Sequence, residues 1–189
     1  MALAQRLDKL GAVNLMLSAA GEQKVSTLVD DGINDTDVAQ QVLDETIIEV
    51  LSMGWDCNRV VKTFLPDTTG KIAISPNYLR VDGYGNDYRR RLTVRGDHLY
   101  DLDNDTDQFT GTSVQLEIIQ NLNFTDLPSP LRFYIARAAA TIYQSQTKAD
   151  PDMDSILRFQ EQKAYEMIRK HNTKTADRSF IHASRSNSK

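Results

Sequence analysis

The chain has 189 residues, 40% of them hydrophobic and 25% charged, enough for one domain with a real core or a domain carrying a small insertion. A mean hydropathy of −0.45 and the lack of any apolar run near the ~18–20 residues that cross a bilayer exclude a membrane span. A net charge of −4 argues against a sequence-reading nucleic-acid binder, and one cysteine with three scattered histidines leaves neither a disulfide nor a zinc motif.

The stretch Met1–Asp8 is charged and lacks a signal-peptide apolar core, so synthesis and folding in a cytoplasm are expected. Residues 3–20 carry the first helical pattern. Leu3, Leu7, Leu10, Asn14 and Leu17 share one face, with Val13, Met16 and Ala20 beside them, and Gly21 is a natural stop. Asn14, near the apolar stripe, reads as a buried amide bonded to neighbouring backbone. Residues 22–33 form a loop with the turn signal Asp30-Asp31-Gly32. Asn34 or Asp35 can cap a second helix, with Val38, Val42 and Val50 on one line and Ala39, Leu43, Ile47 and Leu51 on the next. Gly54 ends it. The segment Gly54-Trp55-Asp56-Cys57-Asn58 holds the only Trp and the only Cys, both expected as packing residues.

Beyond that segment the period changes. Val60–Leu65 alternates like a strand, Lys71–Ser75 is a short strand stopped by Pro76, and Tyr78–Val81 suits a third. Leu92–Arg95 and His98–Leu102 flank Gly96-Asp97, a tight-hairpin signal. Ser113–Gln120 is the clearest strand, with Val114, Leu116 and Ile118 inward and Gln115 and Glu117 outward. Ser129 as cap and Pro130 in the first turn start a helix to about Gln146 that is apolar nearly all round. Asp150 and Pro151 start the last helix, to about His171, with Met153, Ile156, Leu157, Gln160, Ala164, Met167 and Ile168 on one face. Residues 172–189 are polar, without periodicity, and hold Lys174, Arg178, Arg185 and Lys189 against Asp177.

The expected fold class is therefore α+β. A helical frame of about four helices, residues 1–56 and 128–171, carries an inserted small antiparallel β module, 57–127, and a flexible basic tail, 172–189. Gly54, Trp55 and Asn58 mark one hinge and Pro128 and Pro130 the other, with Trp55 packed where frame and module meet.

Catalytic signatures are weak. Asp101-x-Asp103-x-Asp105 begins like a calcium loop, but Thr106 and Thr112 stand where such a loop needs Gly and Glu. Gly83-x-Gly85 lacks the rest of a dinucleotide fingerprint. His98 near acidic residues could be a base with an orienting carboxylate, yet it has no evident nucleophile. No catalytic, cofactor or metal residue is assigned. An acid pair for glycan hydrolysis is compatible with 26 acidic residues, but none is marked. The basic tail is either a solvated terminus or an arm that orders on a partner, with Phe180 and Ile181 as anchors amid Arg178, His182 and Arg185.

Four clusters in sequence resemble one family. Ala12-Val13-Asn14 with Leu17, Gly21-Glu22, Val25 and Leu28 comes first, then Gly54-Trp55-x-x-Asn58. Phe64-Leu65-Pro66-Asp67-x-x-Gly70-x-Ile72 with Tyr78-Leu79 follows, and Leu99-Tyr100-Asp101 with Leu127-Pro128 closes the series. Together, over about residues 10–170, they resemble the tail tubular protein A, or head-to-tail adaptor (gatekeeper), family of short-tailed, autographivirus-type phages. Lys24 and Cys57 depart from its pattern. The resemblance implies a structural virion protein of the tail, assembled in the host cytoplasm, and no enzyme. Copies would form a ring, typically of twelve, docking the portal protein and the nozzle protein (tail tubular protein B). The ring would pass viral DNA without sequence-specific binding and help retain the genome, with no membrane partner. It leaves Arg178, Phe180, Ile181, His182 and Arg185 as portal-docking candidates. A tail-associated polysaccharide-degrading enzyme is the alternative from another class, and a small nucleic-acid-binding module a third.

Overall fold

The computed structural model describes residues 7–28, 34–109, 111 and 113–186, and for residues 34 and 173–186 the backbone alone. The fold is α+β, with four helices and two small antiparallel sheets among the described residues. The chain divides into two compact units: Met1–Val50 with Asn123–Lys189, and Leu51–Leu122.

The first unit is helical. α1 spans Lys9–Ala19, and the Asp8 carboxylate caps it by accepting from the Gly11 N–H at 2.8 Å. It ends in a Schellman turn: Gly21 takes φ +71, and the Glu22 N–H reaches the Leu17 carbonyl at 2.8 Å. Val13, Met16, Leu17 and Ala20 of the predicted stripe are buried, and so is Ala12, whereas Leu7, Leu10 and Asn14 are half-buried. The expected positions before Leu7 lie outside the described residues, as does the Asp30-Asp31-Gly32 turn.

α2, Asn34–Ser52, buries Ala39, Val42, Leu43, Ile47, Val50 and Leu51, but Val38 is exposed rather than on the buried line. α3, Ser129–Thr147, packs against both α1 and α4, and its Ala136, Ala139 and Ala140 are fully buried, which lets those helices come close. Its cap is Pro128 rather than Ser129: the Leu131 and Arg132 N–H groups both reach the Pro128 carbonyl. α4 starts as predicted, with the Asp150 carboxylate accepting from Asp152 and Met153 N–H. It then runs Pro151–Ser186, through the segment expected to be an irregular tail beyond His171. That segment contains neither Gly nor Pro up to Ser186. Extending an existing helix needs no new nucleus, so polar residues without periodicity continue it.

The second unit holds β1 (Arg59–Phe64), β2 (Tyr78–Gly83), β3 (Leu92–Arg95), β4 (His98–Asp101) and β5 (Val114–Gln120). The three-stranded sheet has the order β1-β5-β2, all antiparallel. β5 is central because its apolar side chains recur at every second position: Val114, Leu116 and Ile118 are fully buried. β3 and β4 form a hairpin about Gly96, whose φ of +64 fits the first position of a type II′ turn. The stretch 71–75 is reduced to a bridge between Ala73 and His98, held by Leu99 N–H to Ile72 O and Ile74 N–H to Asp97 O. Gly70 and Pro76 leave it too short for a ladder. Even so, Ile72 and Ile74 join Val81, Leu99, Phe109, Val114, Leu116 and Ile118 in a core within this unit.

Candidate interaction surfaces

Asn58 sets the backbone at the start of the β unit. It is fully buried. Its Oδ1 accepts from the Trp55 N–H at 2.8 Å, and its Nδ2 donates to the Leu51 and Gln120 carbonyls at 2.9 Å each. Its own N–H and C=O pair with Trp55 O and Gln120 N. A short amide with both donor and acceptor is the side-chain type that can close such a loop. Gly54 turns the chain at φ +77, where a Cβ would lie 2.9 Å from Ile119 Cδ1. Trp55 is buried, whereas Cys57 is exposed rather than a packing residue.

The acidic loop after β4 is stitched, not open. Asp101 is buried, and its two oxygens accept from the Asp103 and Asn104 N–H groups, Asn104 Nδ2 and the Arg90 guanidinium at 2.8 Å. Burial pushes its carboxyl up, but Arg90, Asn104 and the backbone donors outweigh that and bring it down to about 2. Arg90 also pairs with Asp87 and lies over the Phe109 ring. Asp103 accepts from Arg91 N–H, Asp105 from the Tyr100 hydroxyl, and Asp107 pairs with Lys71. Those carboxylates are already engaged by the protein. Among the described residues, no group of three or more His, Cys, Asp or Glu is placed to hold a metal. His98 Nδ1 sits 2.5 Å from the exposed Asp97 carboxylate on the hairpin.

One groove in this unit has aromatic walls, Tyr84 and Tyr88, with Asp82 and Glu117 across from each other in the β2–β5 register. Arg80 holds Asp82 at 2.9 Å and Arg59 lies 3.7 Å from Glu117, so each carboxylate faces an arginine.

In the helical unit, Asn14 behaves as an amide clamp on the loop after α1, donating to Val25 O at 2.9 Å and accepting from Val25 N–H at 2.8 Å, although it is half-buried. The buried Tyr143 hydroxyl donates to Glu22 at 2.5 Å; burial pushes that phenol well up and the Glu22 carboxylate adds to it. Arg132 is buried too and donates to Leu7 O at 2.8 Å. On the outside, two hollows share Arg137 and Gln160, which bond to each other. One lies among α1, α3 and α4, and the other between α3 and α4. The second is an apolar groove of about 590 Å³, with Pro130, Phe133, Ala164 and Met167 in its walls. Leu157 and Ile168 bury one line of α4, but Phe159 is 69% exposed and Met167 60%.

A family model described as tail tubular protein matches residues 10–178. The chain belongs to the tail tubular protein family. It is also similar to Tail tubular protein A of Klebsiella phage KP34, at 28% identity over 166 residues and 87% of each chain.

As a tail tubular protein, the chain is a structural component of a phage tail. The residues that carried the resemblance are largely the stitches just described. Asn14 and Val25 hold each other, Glu22 meets Tyr143, and Asn58 closes its loop. Asp67 accepts from Thr69 and from Lys71 N–H while Gly70 turns at φ +83, and Asp101 anchors its loop. Of the other residues singled out, Pro128 and Pro130 begin α3. Arg178, Phe180, Ile181, His182 and Arg185 belong to α4, and their side chains lie outside the described residues. Sequence reasoning missed the groove by Phe133. Its signal was that the α4 stripe is wider than one contact with α3 can bury.

Proposed function

We propose that this tail tubular protein is the adaptor between capsid and tail nozzle. Twelve copies assemble in the host cytoplasm as a ring on the portal protein, receive the nozzle protein (tail tubular protein B), line part of the DNA ejection channel and help retain the genome. The observation that carries this reading is the extent of the family match, since residues 10–178 take in both compact units and α4 as far as Arg178. The likeness to a Tail tubular protein A likewise covers 87% of the chain. A ring subunit needs two different lateral faces and further contacts to the rings above and below it. A helical unit and a separate β unit supply surfaces of different kinds. A net charge of −4 suits a conduit, because dense Lys/Arg contacts to phosphate would make DNA adhere.

Within this reading the distal part of α4 is the portal contact. Arg178, Ile181, His182 and Arg185 follow the i, i+3, i+4, i+7 spacing of one helical face, with Phe180 beside them. Gly54, Trp55 and Asn58, with Pro128 and Pro130, act as the hinges of the inserted unit. The test is the mass of the protein alone and with purified portal protein, by light scattering and native mass spectrometry, with imaging of the complex. A twelve-copy ring on portal is expected. A chain that stays monomeric at every portal concentration overturns the proposal.

A further inference from the structure

The two hollows on the helical unit adjoin at Arg137 and Gln160, which bond to each other, and together make a two-part trough along α1, α3 and α4. Among the described residues its lining includes Lys24, Arg137 and Lys163 and no carboxylate. Phe133 and Met167 stand exposed along it. A surface of this kind fits an acidic, amphipathic helix: the apolar walls take the hydrophobic residues, and the cations take the acids beside them.

α2 is such a helix. It contains Asp35, Asp37, Asp44, Glu45 and Glu49 and no Lys or Arg. Its outward line Val38, Gln41, Glu45, Ile48 has helical spacing, with Val38 and Ile48 exposed among the acids. Asp44 is taken by Lys9 of the same chain and Glu45 accepts only from the neutral Gln41 amide at 2.9 Å among the described residues, so neither Glu45 nor Glu49 has a cationic partner there. The other acidic apolar stretch, the loop around Leu102, has its carboxylates engaged by Arg90, Arg91, Tyr100 and Lys71 and is not available in the same way. α2 meets α3 at the Tyr143 hydroxyl, which donates to the Asp35 carbonyl at 3.2 Å, and the trough lies on the Phe133 and Arg137 side of α3.

We propose that the outer face of α2 on one copy seats in the α1/α3/α4 trough of the next copy, so that the trough's occupant is a second copy of this chain. The contact joins unlike faces and therefore propagates head to tail, the kind of contact that closes into a ring. This rests on the ring reading above and assigns its lateral interface.

The test uses the full chain with purified portal protein and follows assembly by sedimentation velocity. Glu45→Lys/Glu49→Lys and Lys24→Glu/Lys163→Glu are expected each to weaken assembly at least about tenfold, because like charges then meet across the contact. Mixed one to one, the two variants present complementary faces at every junction, and assembly is expected to return. Loss of fold in either variant could not produce that rescue. Wild-type assembly should also weaken as salt rises. If wild type forms rings and both variants form them equally well, or if the mixture fails to recover, the interface assignment is overturned while the ring stands. If wild type forms no ring on portal, both fail.

Discussion

Replacing Asn58 tests the claim that one buried amide holds the start of the β unit. Asn58→Ala removes an acceptor from the Trp55 N–H and a donor from the Gln120 carbonyl, whereas the Leu51 carbonyl keeps its bond from the Gly54 N–H at 3.0 Å. Losing these bonds to a buried and a half-buried backbone group costs about 1–3 kcal/mol each. The total expected is therefore ~3–5 kcal/mol once the small void is included. Trp55 is the only tryptophan, so its fluorescence follows urea unfolding of this region directly. Asn58→Asp sharpens the test. It preserves shape but turns an oxygen toward the Leu51 and Gln120 carbonyls, which favours the protonated acid and raises the folded pKa above the unfolded value. That variant should be closest to wild type below about pH 4 and lose stability as pH rises. A loss under about 1 kcal/mol for Asn58→Ala, or a pH trend of the opposite sign, would refute the reasoning.

Three further outcomes follow from the same structure. Asp101 has its pKa lowered from 3.8 to about 2, so its contribution of ~2 kcal/mol is present above pH 4 and is lost as pH falls through 2; Asp101→Asn should flatten that part of the acid-unfolding curve. Trp55→Ala is expected to cost ~3–5 kcal/mol, read from urea unfolding by circular dichroism, and a variant that unfolds like wild type would remove Trp55 as a structural anchor. Deleting residues 172–189 should weaken portal binding at least about tenfold while the melting temperature changes little, because the segment is polar and carries no apolar period; unchanged affinity by calorimetry would assign portal docking elsewhere.

Much of the fold could be read from periodicity. Val114, Leu116 and Ile118 announce a half-buried strand, and the alanines of α3 announce a central helix. Turn chemistry at Gly21 and Gly96 was equally plain, since a positive φ leaves few residues to choose from. What local pattern could not show was which of two apolar lines on α4 would be covered. Ile156 and Met167 lie within the same stripe as Leu157 and Ile168, and only packing against α3 separates them. Val38 on α2 was misplaced for the same reason. The end of α4 was invisible because its continuation depends on a helix already formed, not on any signal in residues 172–186. Asp101 resembled the first ligand of a cation loop, and nothing nearby in sequence reveals that Arg90 fills that role as an internal cation.

The pairing of Asn58 with Gln120 has an evolutionary reading. Arg59 lies opposite Ile119, so β1 begins beside the end of β5, on neighbouring antiparallel strands ~5 Å apart. Segment ends that lie close together are where a chain tolerates insertion and exchange. Diversification among these phages is then expected to concentrate in the loops between β2 and β5, while the Asn58 junction stays fixed as the splice.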